Sequence, residues 1–139
     1  GLGLRHTKGH MIKAVLEGVC FGLRDSLGII EELGIPVKEI RVTGGGARSK
    51  AWTQILSDVL DREVVTVEPA EGSAYGAALI AGMGAGIYAD AEDACNRTIR
   101  TKAAYRPSPA NASVYNRRHE LFRSLYKSLR KDFKTNQTS

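Results

Sequence analysis

The sequence predicts an α/β layer fold with few strands. Three observations carry that expectation. Long segments with apolar residues at three- and four-residue steps alternate with short β-branched runs, the pattern of helices packed on a sheet. The β-like runs, 38–43, 63–67 and 98–103, are each separated by helical segments. A glycine turn, Gly44-Gly45-Gly46, stands between the first run and the helix that follows it. The resulting order is α-β-α-β-α-(α)-β-α, with no internal repeat and no low-complexity stretch.

The first helix is predicted over Lys8 to Leu33. Ile12, Val15, Leu16, Val19, Leu23, Leu27 and Ile30 form one apolar stripe along it, read as a core face. Ala14, Gly18 and Gly22 recur on an adjacent face. Glycine within a helix costs about 1 kcal/mol relative to alanine, so close approach of another backbone is expected there. Gly34 and Pro36 supply the stop. After the strand at 38–43 and the glycine turn, a helix near 49–60 turns Trp52, Ile55, Leu56 and Val59 inward. Glu63-Val64-Val65-Thr66-Val67 is the second strand, and Glu68-Pro69-Ala70-Glu71-Gly72 a loop. Ser73 to Met83 is a helix of small residues that should lie tight against something, closed by Gly82, Gly84 and Gly86. A short acidic helix near Asp90–Cys95 precedes the strand at 98–103. The final helix runs from about Ala110 to Phe133, with Val114, Arg118, Leu121, Leu125, Leu129 and Phe133 on one side and a frayed end from Thr135.

The glycine turn carries two open readings. A strand, three glycines and a helix start together form a natural anion or nucleotide site, because the helix offers unpaired N–H groups and a positive dipole end. The same residues also make a tight strand-to-helix turn with no ligand. The spacing excludes a P-loop, since Ser49-Lys50 is in the wrong order, and it excludes the dinucleotide fingerprint, since no glycine follows Gly46 at the helix start.

Composition sets the class. At 42% hydrophobic and 25% charged residues the chain is an ordinary globular protein with enough length, 139 residues, for a real core. Its apolar stretches are too short to span a membrane. Gly1-Leu2-Gly3-Leu4-Arg5-His6 lacks a starting Met and a signal-peptide core, which with the few strands suggests part of a longer protein. Cys20 and Cys95 make neither a disulfide framework nor a metal motif, favouring a reducing, cytoplasmic setting. The net charge of +5 is uneven: residues 97–134 hold eleven Lys and Arg against Glu120 and Asp132. Such a basic helix is usually a solvated face, so neither nucleic acid nor membrane is expected as a partner. An acidic protein partner for Arg117, Arg118, Arg123 and Lys127 is the alternative.

Candidate chemistry is sparse. His6 and His10 form an i,i+4 pair without a third metal ligand, so helix-end histidines are the simpler reading. His119, Asp58 and Asp61 are expected in solvent. Glu68 and Glu71 flank the second strand's loop and would face a pocket or water. No nucleophile–base pair is readable, so the expected catalytic set within this chain is empty.

Taken together the motifs resemble the FGGY family of carbohydrate kinases. Leu4-Arg5-His6-Thr7, Leu16-Glu17-Gly18-Val19 and Leu23-Arg24-Asp25 are similar to that family's C-terminal signature. Thr43-Gly44-Gly45-Gly46-Ala47-Arg48-Ser49, with Trp52, Gln54-Ile55 and Ser57-Asp58, resembles its adenosine motif. Glu71-Gly72-Ser73-Ala74-Tyr75-Gly76-Ala77-Ala78-Leu79 resembles the small-residue helix that follows, with Ser73 where many relatives have proline. The ending Gly84-Ala85-Gly86-Ile87-Tyr88 and the basic last helix are most similar to the xylulokinase-type members, with ribulose, gluconate and autoinducer kinases as alternatives.

The resemblance implies a partial actin-like ATPase (ribonuclease H-like) domain, residues 1–135, from the C-terminal half of a two-domain sugar kinase, with 136–139 a disordered tail. It implies ATP as cofactor, bound through the backbones of Gly44, Gly45, Gly46 and Ala47, with Lys50 near the adenine and the small-residue helix behind. The implied reaction moves the γ-phosphoryl of MgATP to a sugar hydroxyl, D-xylulose giving D-xylulose 5-phosphate. It also implies that the catalytic aspartate, the Mg²⁺ ligands and most sugar contacts lie outside residues 1–139, so the isolated chain should bind nucleotide without transferring phosphate. A homodimer is left open.

Overall fold

In a computed structural model of the chain, residues 1–69 and 72–136 are described, Asn136 by its backbone only. Their contacts group them into two compact units: Gly1–Pro36, Asp58–Asp61 and the segment from Pro107 onward form one; Val37–Ser57 and Arg62–Arg106 form the other.

The first unit is built on helices α1 (Lys8–Glu32) and α5 (Pro109–Asn136). At the start of α1 the Thr7 N–H donates to His10 Nδ1 at 3.1 Å, a local capping arrangement. Its end is a Schellman motif: Gly34, at φ +75°, donates to the Glu31 carbonyl at 2.9 Å, and Ile35 donates to Ile30 at 3.3 Å. This is the stop expected of Gly34.

The buried side of α1 is not the apolar stripe. Ile12, Val15 and Val19 remain 52%, 68% and 52% exposed, while Glu17, Cys20 and Phe21 are buried. Phe21 meets three rings of α5, with centroids 6.2 Å from Tyr115, 5.8 Å from His119 and 5.4 Å from Phe122. Contacts advance together along both helices, from Glu17 with Tyr115 to Asp25 with His119, so the two run in the same direction where they meet. The leucines read on one side of α5, Leu121, Leu125 and Leu129, are exposed, while Ala112 and Tyr115 are buried. The contact between α1 and α5 is aromatic and charged, and the aliphatic stripes read from periodicity lie largely outside it. Thr135 is still helical, its hydroxyl donating to the Lys131 carbonyl at 3.1 Å, so fraying does not begin there. The tail expected at 136–139 otherwise lies outside the described residues.

The second unit is a three-stranded sheet, β1 (Ile40–Val42), β2 (Val64–Glu68) and β3 (Arg100–Tyr105), in the order β1-β2-β3. β1 and β2 are parallel, with Ile40 opposite Val64 and Val42 opposite Thr66; β2 and β3 are antiparallel, with a bulge between Thr66 and Val67. A parallel pair needs a crossover, and helix α2 (Lys50–Leu60) provides it. β2 is the central strand, so Val64, Val65 and Thr66 are buried.

Helices α3 (Gly72–Gly84) and α4 (Ala91–Thr98) complete this unit. Asp90 caps α4 by accepting from the Asp93 N–H at 2.8 Å. α4 runs three residues past the expected end, and β3 starts correspondingly late, because the Thr98 hydroxyl donates back to Ala94 at 2.6 Å and continues the helix. Among the glycines of α3, two show the tight packing expected of the small-residue helix. A Cβ on Gly82 would stand 2.7 Å from Tyr88 Cε2, and one on Gly72 would stand 3.1 Å from Thr43 Cγ2. Arg97 covers the Tyr88 ring, 4.9 Å from its centroid. Gly76 has open space beside it.

Candidate functional site

The carboxyl ends of the parallel strands β1 and β2 mark the place in an α/β sheet where ligands usually bind. Both chain connections leave from there. After Val42 come Thr43 and the glycine turn; after Glu68 the chain enters α3, whose first residue, Gly72, packs against Thr43. Residues 70 and 71, including the candidate Glu71, lie outside the described residues. All of this site belongs to the second unit.

The turn is ordered by its own hydrogen bonds. Gly44 takes φ +80°, a conformation that favours glycine. Gly45, at φ −59° and ψ −39°, begins a single 3₁₀ turn over Gly46–Arg48, closed by the Arg48 N–H on the Gly45 carbonyl at 3.2 Å and the Ser49 N–H on the Gly46 carbonyl at 3.0 Å. Ser49 then prepares α2: its Oγ accepts from the Trp52 N–H at 3.3 Å, and its carbonyl accepts from the Thr53 N–H and hydroxyl, each at 3.0 Å. Gly45, Gly46 and Lys50 are exposed, and Gly44 and Ala47 half-buried.

Lys50, the first residue of α2, brings a cation to a helix end whose dipole is itself positive. An anion there would relieve both. The arrangement therefore suits a ligand with a negatively charged group and a flat or extended body lying over exposed glycine backbone.

Trp52 was placed by sequence reasoning on the inward face of α2. It is half-buried, and its ring lies against the turn: a Cβ on Gly46 would stand 2.9 Å from Cζ3 and 3.2 Å from Cε3. Real Cβ atoms do not come so close, so glycine at 46 is required by the ring. Only the pairing of Gly46 with Trp52 six positions on hinted at this.

The other candidates are structural where they are described. The His10 Nδ1 serves the start of α1, and the His6 Nδ1 accepts from the Gly3 N–H at 2.8 Å. Among the described residues no group of three or more His, Cys, Asp or Glu side chains could hold a metal ion. His119, expected at the surface, is largely buried beside Phe21, with Nε2 2.9 Å from Asp25 Oδ1. Asp58, expected in solvent, is 3% exposed; its two oxygens accept from the Ser108 N–H and from Asn111 Nδ2, both at 2.8 Å. Glu68 pairs with Lys102 across the sheet.

Sequence reasoning also missed the polar centre of the first unit. Glu17 Oε1 accepts from the Tyr115 hydroxyl at 2.9 Å, and Arg118 lies 3.2 Å from Oε2. Burial first, then the Glu17 charge, pushes the neighbouring Cys20 thiol up to about 11, which makes it a packing residue and not a nucleophile. Arg118 and Arg123 both face α1 carboxylates, Glu17 and Asp25, so part of the basic helix is engaged within the chain.

Residues 1–85 match the FGGY family of carbohydrate kinases, C-terminal domain. The chain belongs to that family. It is 31% identical over 126 residues to the xylulose kinase of Bacillus subtilis and 35% identical over 138 residues to the gluconokinase of Bacillus licheniformis. The matches cover 91% and 96% of this chain but only 25% and 26% of those proteins, so the chain spans about a quarter of the length of these curated relatives. The structure of xylulose kinase from Rhodospirillum rubrum matches with a TM-score of 0.81 at 36% identity, over 96% of this chain and 27% of that one. The fold is thus the corresponding C-terminal part of the actin-like ATPase fold of FGGY sugar kinases. No helix among the described residues is long and apolar enough to cross a membrane.

Proposed function

We propose that the chain forms the adenosine-side wall of the ATP site of a sugar kinase, with the backbones of Gly44, Gly45, Gly46 and Ala47 against the nucleotide and Lys50 beside it. The observation that carries this reading is Gly45. Its dihedrals, φ −59° and ψ −39°, are ordinary for any residue, and a Cβ there would meet nothing within 4 Å. Among the described residues neither backbone strain nor packing explains a glycine at this position. Close approach of a ligand does. At the start of α2, Ser49 takes the Trp52 and Thr53 N–H groups, and those of Lys50 and Ala51 are the ones offered to a phosphate oxygen.

In the full-length parent the reaction is transfer of the γ-phosphoryl group of ATP to a sugar hydroxyl. This chain's residues bind and orient the nucleotide and exclude water from one side of it. Mg²⁺ bound with ATP would neutralise phosphate charge. The sugar is D-xylulose on the strength of the xylulose kinase likenesses in sequence and structure. The gluconokinase likeness supports gluconate as the second reading. Free Cys20 and Cys95 suit a cytoplasmic setting.

The test is Gly45→Ala. The substitution should leave the free energy of unfolding unchanged or raise it by up to about 1 kcal/mol, since alanine has less freedom to lose in the unfolded chain. It should weaken ADP binding at least about tenfold, or roughly 1.4 kcal/mol. Equal ADP affinity for both proteins, or amides of Gly44 to Lys50 that ignore millimolar ADP, would sink the proposal. Phosphorylation of D-xylulose against D-gluconate by the full-length parent decides the sugar, and the chain alone should transfer none.

A further inference from the structure

We propose that Trp52 is a positioning residue for nucleotide binding: its ring holds the glycine turn in the shape that receives the ligand, and its emission reports occupancy. The inference rests on the nucleotide reading of the turn given above and names the residue that maintains it.

Three observations carry it. The Trp52 ring occupies the space where a Cβ of residue 46 would be, with Cζ3, Cε3 and Cη2 at 2.9, 3.2 and 3.4 Å from that position. Gly46 itself has no left-handed φ, so the ring and not the backbone is what demands glycine there. The same residue is tied to the turn through its main chain, since its N–H donates to Ser49 Oγ at 3.3 Å. Two adjacent glycines have no side chains with which to order themselves. A flat, rigid ring pressed on one of them, anchored on the first turn of α2, limits their movement before any ligand arrives. Ordering already present in the free protein is ordering that binding does not have to supply. Gly45, one residue away, is left open to the outside.

Trp52 is the chain's single tryptophan. Its fluorescence therefore comes from one site, in contact with the turn. ADP settling on Gly45 and Gly46 should change that emission in step with the binding curve from calorimetry.

The test uses the 139-residue chain as wild type, Trp52→Leu and Trp52→Phe, with ADP as the probe. Amide hydrogen exchange is followed at Arg48 and Ser49, whose N–H groups close the turn, and at Val64, Val65 and Thr66 of β2 as the control. Trp52→Leu should speed exchange at Arg48 and Ser49 about tenfold, weaken ADP binding by a similar factor and leave β2 protected; Trp52→Phe should restore most of both. If Trp52→Leu also loses β2 protection, Gly46→Ala takes its place, because the new methyl group displaces the ring without removing it, and it should loosen the same two amides. Wild-type exchange at Arg48 and Ser49 in the informative variant overturns the proposal. So does a loosened turn that binds ADP with wild-type affinity. A wild-type chain with no response to ADP defeats the nucleotide reading and overturns the ligand half of this one, while the exchange rates still decide whether Trp52 orders the turn.

Discussion

Replacing Glu17 with alanine should cost about 2–3 kcal/mol of stability, and the sum can be built from its partners. Glu17 is 8% exposed, and the Tyr115 hydroxyl donates to it at 2.9 Å in a buried setting. Removing the acceptor leaves that hydroxyl without a partner, a loss of about 1–3 kcal/mol. Arg118 lies 3.2 Å away but is 52% exposed, so screening by water reduces its share to about 0–1 kcal/mol. Lys13, at 3.6 Å and 57% exposed, adds little. For a chain of this size 1 kcal/mol corresponds to roughly 3 °C, so the melting temperature should fall by about 6–9 °C. The assay is urea unfolding followed by helical ellipticity, on Glu17→Ala, Tyr115→Phe and the double variant. Removing both partners orphans no buried group, since Arg118 and Lys13 reach water, so the double variant should lose about 1–2 kcal/mol less than the two single losses combined. Strictly additive losses, or a Glu17→Ala cost below about 0.5 kcal/mol, would refute the idea that this bond organises the contact between α1 and α5.

Two further outcomes follow from the same unit. The Cys20 thiol is raised from 9.0 to about 11 by burial and then by Glu17, so the folded state holds its proton more tightly than the unfolded state; stability is intact below pH 9 and is lost as pH rises from 9 through 11. The Tyr115 hydroxyl is also raised from 10.0, by burial and then by its bond to Glu17, and extends that loss to higher pH; urea midpoints between pH 7 and 11 should show the decline, with a shallower slope in Cys20→Ala. Asp58→Ala should cost about 2–4 kcal/mol by leaving the Ser108 N–H and the Asn111 amide without their acceptor, and exchange at Ala112, whose N–H donates to the Ser108 carbonyl, should quicken at the start of α5.

Local signals in the sequence were enough to find each α-helix and strand among the described residues, though not the 3₁₀ turn over Gly46–Arg48. Gly34 was legible as the stop of α1 because a left-handed C-cap is a property of one residue and its neighbours. The burial of Glu17 and Asp58 was not legible, because each depends on partners about a hundred and about fifty positions away, Tyr115 and Ser108. His119 was misread for the same reason: its surroundings are Phe21 and Asp25 on another helix. The stripe from Ile12 to Ile30 shows a different limit. Periodicity reports that a helix face is apolar, and it says nothing about which surface covers it; among the described residues the covered face of α1 is the neighbouring one, carrying Cys20 and Phe21.

The three glycines at 44–46 look equivalent in sequence and are glycine for three separate reasons. Gly44 answers a local demand, a φ of +80°. Gly46 answers a packing demand from Trp52, visible only once α2 folds back over the turn. Gly45 answers to nothing among the described residues, since its dihedrals are ordinary and the space beside it is open. A tight turn without a ligand accounts for the first and, with Trp52, the second. It gives no reason for the third, and that residue is where the two readings of the motif part. Alanine at 44 or 46 would perturb both the turn and any ligand bound to it; alanine at 45 touches only what comes from outside, which makes it the substitution able to separate the ligand from the fold.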